Sequence, residues 1–359
     1  MIPFSRPCYS DEDKKAFLTG LEPTSGGDRM RLNAEDDIRR KFFGAGDFQV
    51  LVTNSATSAL ILAGRLFGGS MAQTFHVPSL SWYSTWSWIP TCLRKHYDVS
   101  PWIGGPSLKS DTVGANDVAV LVDLWGRPKE LDAYLSTSSF RCPVIVDSSH
   151  ALGEWRHAEW LKSDKVQAIV YSFNSVKQCS AVRGGALVFR GTFATKQRLR
   201  AWSDSGSIGR NGWEPEGFNA EMGEPNALLL RSQLTTFWER QERCKAILSL
   251  YRDALSSRPG DAYAYLRGDS GHLAVLVMVE ACSGVPGTEV VSQFRTHAQK
   301  NGFRTGHHYP LARYLSPIDF PHAHILSESV VTIPLWSDMK PTEVRTVCKA
   351  LKSFKPLHQ

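Results

Sequence analysis

Five short apolar runs constrain this chain more than any other feature of it. Residues 49–53, 118–124, 144–147, 168–173 and 185–189 are continuously apolar or nearly so, not alternating. A strand exposed on one face alternates in polarity, whereas a strand covered on both faces does not. The runs therefore predict a mostly parallel central sheet flanked by helices, an α/β fold. Polar residues gather at the C-terminal ends of the runs, where open α/β sheets hold their ligands.

A length of 359 residues leaves room for a second unit. Residues 226–255 read as one long helix, with Leu230, Leu234, Phe237 and Trp238 at helical spacing. A Gly/Ser/Pro-rich stretch follows at 256–271. Beyond it come a strand at 272–279, a helix after Thr288, a proline-punctuated segment at 307–334 and a closing helix after Pro341. The expected division is a large domain of residues 1–240 and a smaller C-terminal α+β domain of residues 241–359.

Composition excludes several classes. With 42% hydrophobic and 21% charged residues the chain can build a core, so disorder is out. A net charge of +6, spread thinly, suits an anionic small molecule at least as well as nucleic acid. The basic stretches Arg39-Arg40-Lys41 and Arg198-Leu199-Arg200 read as solvated helix faces, so no nucleic-acid partner is expected. No apolar run reaches the roughly 20 residues of a membrane span, and Met1 to Pro7 turns polar too early for a signal peptide. The seven cysteines are scattered and form no Cys-x-x-Cys pair. Neither a metal site nor a disulfide framework is expected, and the reading is a reduced, cytoplasmic protein with no membrane partner.

Four strand ends carry the chemistry. Asn54-Ser55-Ala56-Thr57-Ser58 lies between a strand and a helix, where small residues and the helix N-terminus suit an anion; an ordinary N-cap is the plainer reading. Asp147 ends a buried strand, which is costly for a carboxylate without a cationic partner or cap. Lys177, on the loop after the next strand, can reach the same edge as a Schiff-base nucleophile, or lie on the surface. Trp82 can stack on a planar ring or sit in the core. Taken in chain order, the four are the parts a pyridoxal-phosphate enzyme supplies: phosphate cradle, stacking aromatic, carboxylate and lysine.

On these residues the chain resembles the DegT/StrS family of sugar aminotransferases, enzymes of fold type I. Val122-Asp123-Leu124-Trp125-Gly126-Arg127-Pro128 is similar to the family's strand–loop pattern ending in Gly-x-Pro. Val146-Asp147-Ser148-Ser149-His150-Ala151-Leu152-Gly153 is similar to its acidic strand end, and Tyr171-Ser172-Phe173-Asn174-Ser175-Val176-Lys177 with Gly184-Gly185 to its lysine segment. The resemblance implies pyridoxal 5'-phosphate as cofactor. It places Ala56, Thr57, Ser58 and Ser172 on the phosphate, Trp82 on the ring face, Asp147 on the pyridine nitrogen, His150 beside the ring and Lys177 as covalent anchor and proton shuttle. It also implies a homodimer with shared sites, in which Asn219 of Gly217-Phe218-Asn219 reaches the neighbouring subunit's cofactor. His308 and Tyr309 are implied at the substrate pocket.

The chain departs from the family on the substrate side. Thr24-Ser25-Gly26-Gly27-Asp28-Arg29 lacks the aromatic that usually helps enclose a nucleotide, which makes Arg29 a candidate phosphate contact. Glu221 and Gly223 stand where an arginine and an aspartate are usual. The implied activity is amino transfer from a donor such as glutamate to a keto-sugar, nucleotide-linked or not, or to a related cyclic ketone. Alternatives are another lysine-dependent reaction of the cofactor (elimination, cyclisation or racemisation) and a non-catalytic regulatory homologue.

Overall fold

The computed structural model describes residues 1–22, 27–44, 47–67, 74–100, 105–209, 212–256, 264–267, 273–278, 287–307 and 309–356. Seven strands form the large sheet: β1 (Phe48–Thr53), β2 (Phe75–Pro78), β3 (Arg94–Tyr97), β4 (Val118–Val122), β5 (Val144–Asp147), β6 (Ala168–Ser172) and β7 (Gly185–Arg190). Their spatial order is β1-β7-β6-β5-β4-β2-β3. The β2–β3, β2–β4, β4–β5 and β5–β6 pairs are parallel, and β7 runs antiparallel to both β6 and β1. The sheet is mostly parallel, as the continuous apolar runs require.

Burial explains those runs. Val50, Val52, Leu121, Val146, Ile169 and Val188 enter one apolar cluster, while the residues between them, Leu51, Val120, Ile145, Val170 and Leu187, enter another on the opposite face. Successive strand residues point to opposite sides, so each run must be apolar throughout. Helices such as Gly27–Phe42, Ala56–Phe67 and Glu224–Thr235 complete the two layers.

A smaller antiparallel sheet is formed by β8 (Ala264–Arg267), β9 (Ala274–Met278) and β10 (Val330–Ile333), in the order β10-β9-β8. Its core begins in sequence at Cys244 and takes in Tyr251, Phe294, Val331 and Phe354. A further cluster joins the two sheets, with Leu80, Leu124 and Trp125 from one side meeting Val275, Val277 and Tyr309 from the other.

Two expectations change. The long helix at 226–255 is two helices, Glu224–Thr235 and Phe237–Ser256, broken at Thr236 (φ −101°, ψ 11°). Two consecutive β-branched residues, Thr235 and Thr236, weaken the helix there. Strand β4 stops at Val122, and residues 124–126 form a 3-10 turn in which Trp125 takes φ 59°. Strands β2 and β3 carry no apolar run that announces them. Among the described residues no helix is long and apolar enough to cross a membrane.

Candidate active site

The C-terminal ends of β4, β5 and β6, residues 82–85 beyond β2, the start of helix Ala56–Phe67 and the segment around Tyr309 enclose a cavity of about 630 Å³. Asp147 lies at its floor, 5% exposed. Three donors meet its two oxygens. Thr85 Oγ1 donates to Oδ2 at 2.8 Å, while Ser149 donates to Oδ1 through Oγ at 2.6 Å and its backbone N–H at 3.2 Å. Among the described residues no basic side chain comes within ion-pair distance of this carboxylate. Its position is fixed by register: Asp147 pairs with Val122 on β4 and Val170 on β6.

Lys177 Nζ lies 3.0 Å from Nε2 and 3.3 Å from Nδ1 of His150. The same Nε2 lies 2.7 Å from Tyr309 Oη. Burial pushes the lysine down from 10.5 to about 7, and the negative charge of Asp147 offsets part of that fall. Burial, reinforced by the charges of Asp147 and Asp123, drives the Tyr309 phenol upward. Tyr309 therefore keeps its proton. An amine poised near neutrality, held by an imidazole and facing a buried carboxylate, has the chemistry of a nucleophile that also carries protons.

At the other end of the cavity, Ser55 caps helix Ala56–Phe67, its Oγ accepting from Ser58 N at 3.1 Å. First-turn amides of a helix have no partner one turn back and form an anion site. Ala56 and Thr57 line the cavity there, with Ser172 of β6. A Cβ at Gly185 would come 2.4 Å from Ala56 N, so only glycine lets β7 lie against this turn. Trp82 is 54% exposed at the cavity wall, with its ring 6.3 Å from that of Tyr309. Anion cradle, amine, carboxylate and flat aromatic surround one space, a donor set that fits a phosphorylated pyridine aldehyde.

The structure thus brings Ala56, Thr57, Trp82, Asp147, His150, Ser172, Lys177 and Tyr309 to one cavity. Ser58 does not line it: its hydroxyl, 7% exposed with the rest of the residue, donates to Asn54 Oδ1 at 2.6 Å. Asn219 is exposed and does not line it either; its backbone carbonyl accepts from Asn54 Nδ2 at 3.2 Å. Arg29 is exposed on helix Gly27–Phe42, away from the cavity lining. His308 and residues 24–26 lie outside the described residues. Glu221 pairs with Arg31 at 2.8 Å.

Sequence reasoning missed Thr85 and Ser149, the hydroxyls that hold Asp147. Ser149 was legible as the residue two beyond the acid, but Thr85 lies 62 positions away, and only the packing of the turn after Trp82 brings it there. It also missed a buried chain behind the site. Tyr171 Oη lies 2.7 Å from His157 Nδ1, His157 Nε2 lies 3.1 Å from Ser148 Oγ, and Ser148 donates to Asp123 Oδ2 at 3.0 Å.

This fold and site define a fold-type I, pyridoxal-phosphate-dependent transferase. The pattern of the DegT/DnrJ/EryC1/StrS aminotransferase family matches residues 39–352, and the chain belongs to that family. It is 23% identical over 316 residues, 84% of this chain and 81% of the relative, to the dTDP-3-amino-3,4,6-trideoxy-alpha-D-glucose transaminase of Streptomyces venezuelae. Among solved structures it is similar to the PMP form of the putative sugar aminotransferase Spr1654 of Streptococcus pneumoniae, with TM-score 0.81, 19% identity and 98% of each chain covered. It is also similar to Helicobacter pylori PseC, an aminotransferase of pseudoaminic acid biosynthesis, with TM-score 0.79, 20% identity and 97% of each chain covered.

Proposed function

We propose that this aminotransferase moves an amino group from a donor amino acid such as glutamate to a keto-sugar, with nucleotide-linked sugars as the leading class. The observation that carries the reading is Lys177, an amine depressed to about 7, 3.0 Å from His150, in the cavity that Asp147 floors. The Streptomyces relative is named for a dTDP-linked amino sugar, which supports the substrate class.

The cofactor, when bound, supplies the electron sink that makes a carbon-bound proton acidic. The residues of this chain do the rest. Ala56, Thr57 and Ser172 would hold the phosphate, and Trp82 would cover the ring face. Asp147, itself fixed by Thr85 and Ser149, presents a carboxylate to the ring nitrogen. Lys177 would anchor the aldehyde and carry a proton at its Nζ, with His150 and Tyr309 keeping the amine in place. His150 and Tyr309 act by position and hydrogen bonding. The exposed Asn219 is available to reach a second subunit, which supports a homodimer with shared sites. A division near residue 240 fits a second core that begins at Cys244. Six described cysteines are free thiols, which suits a reducing cytoplasm.

The test loads the purified protein with pyridoxamine phosphate and adds dTDP-linked keto-sugars one at a time. Conversion of the absorbance to that of pyridoxal phosphate, with an amino sugar as product, is expected. No conversion with any keto-sugar, beside ready turnover of an amino acid by elimination or racemisation, would replace this reading with the alternative chemistry.

A further inference from the structure

Three residues before β7 the backbone takes a conformation that a branched side chain avoids. Val182 has φ 62°, and the Arg183 N–H donates to the Ala181 carbonyl at 2.6 Å, closing a tight three-residue turn around it. For a β-branched residue this left-handed conformation is an outlier. The surroundings hold it there: Ser180 Oγ accepts from Val182 N at 3.2 Å, and Ala181 N donates to the Phe173 carbonyl at 2.9 Å. Strain of this kind persists where the neighbouring structure fixes it, and it gathers at ligand sites.

The turn places Arg183 on the cavity wall. The residue is exposed, and its guanidinium makes no ion pair or hydrogen bond with any described residue. The segment that packs beside it, through Met222 against Gly184, includes Glu221, and that acid is already engaged by Arg31 at 2.8 Å. The other charged groups lining the cavity are Asp123, Asp147 and Lys177. Asp123 is 1% exposed, and its Oδ1 has no hydrogen-bond partner. Two buried carboxylates repel any anionic substrate group, and Lys177, depressed to about 7, is a weak counter-charge that the reaction occupies. Arg183 is the one lining arginine among the described residues.

We infer that Arg183 is a specificity-determining residue that binds the anionic oxygens of a substrate, a carboxylate or a diphosphate, by paired hydrogen bonds at the cavity wall. The guanidinium fork matches either group. This rests on the proposed aminotransferase reading and deepens it by naming the charge the substrate must carry.

The test uses the cofactor-loaded protein and two probes, glutarate for the donor carboxylate and thymidine diphosphate for the nucleotide, with binding measured by calorimetry. Arg183→Gln should weaken one probe by about ten- to a hundredfold, the usual cost of losing a charge-assisted hydrogen-bond pair, and Arg183→Lys should recover part of it. Loss confined to glutarate assigns the arginine to the amino donor; loss confined to thymidine diphosphate assigns it to the sugar nucleotide. Unchanged binding of both probes overturns the inference. So does a variant that falls apart into monomers with probe binding otherwise intact, because Arg183 is then a subunit contact. The readout is independent of turnover, so a negative result here with a normal Lys177-dependent absorbance band leaves the aminotransferase reading standing. A missing band removes that reading instead.

Discussion

Titration of Lys177 is the sharpest consequence of the site geometry. Its amine falls from 10.5 to about 7, with burial as the larger cause and Asp147 opposing it. At pH 7 roughly half of the Lys177 side chains are then neutral, against roughly one in 3,000 for an unperturbed lysine. Competitive acetylation of the cofactor-free protein, with Lys177 followed by peptide mass spectrometry, reads this directly as a labelling midpoint near 7. Asp147→Asn removes the charge that favours the ammonium, so the midpoint must move lower still. Stability follows the same sign. The folded lysine binds fewer protons than the unfolded one between about 7 and 10.5, so its contribution to stability increases as pH rises through that window. The rise is clearest below pH 9, before Cys179 and Cys244, both pushed by burial from 9.0 up to about 12, begin to oppose it. A labelling midpoint near 10.5, or an upward shift in Asp147→Asn, would refute the electrostatic account of the site.

Three further outcomes are expected. Val182→Gly relieves a left-handed backbone conformation at a position 41% exposed; strain of about 1–2 kcal/mol less a glycine entropy cost of about 0.5–1 kcal/mol leaves a small net gain, and a lowered midpoint of thermal unfolding would count against strain there. Light scattering should find a homodimer, with Asn219→Ala weakening cofactor retention in it; a dilute, active monomer that binds cofactor normally sinks the shared site. The ratio of kcat/KM for a nucleotide-linked keto-sugar over the same sugar unlinked should stay below several thousandfold, because the stretch ending at Arg29 offers no aromatic to stack on the base, a contact worth about 1–3 kcal/mol per base elsewhere; a larger preference contradicts that.

The doubly buried strands were legible because burial on both faces leaves an unbroken apolar run, as in β5 and β6. Strand β3 was not, since Arg94-Lys95-His96-Tyr97 lies at the sheet edge and buries only Tyr97. Strand β2 was hidden by its four-residue length, His76 and Pro78. At the site, Asp147 and Lys177 were legible from their place at strand ends. The Thr85 hydroxyl that fixes Asp147 was not, for nothing local marks a threonine in a 3-10 turn as the partner of an acid on another strand. Arg183 escaped notice for a related reason: a lone arginine before two glycines looks like surface until the turn at Val182 shows where it faces.

The central claim is that Lys177 is the residue the cofactor bonds to. Borohydride treatment of the cofactor-loaded protein, followed by peptide mass spectrometry, should place the reduced cofactor's mass on the peptide containing Lys177, and Lys177→Ala should take up none. Label on a different lysine, or full amino transfer by Lys177→Ala, would contradict the account.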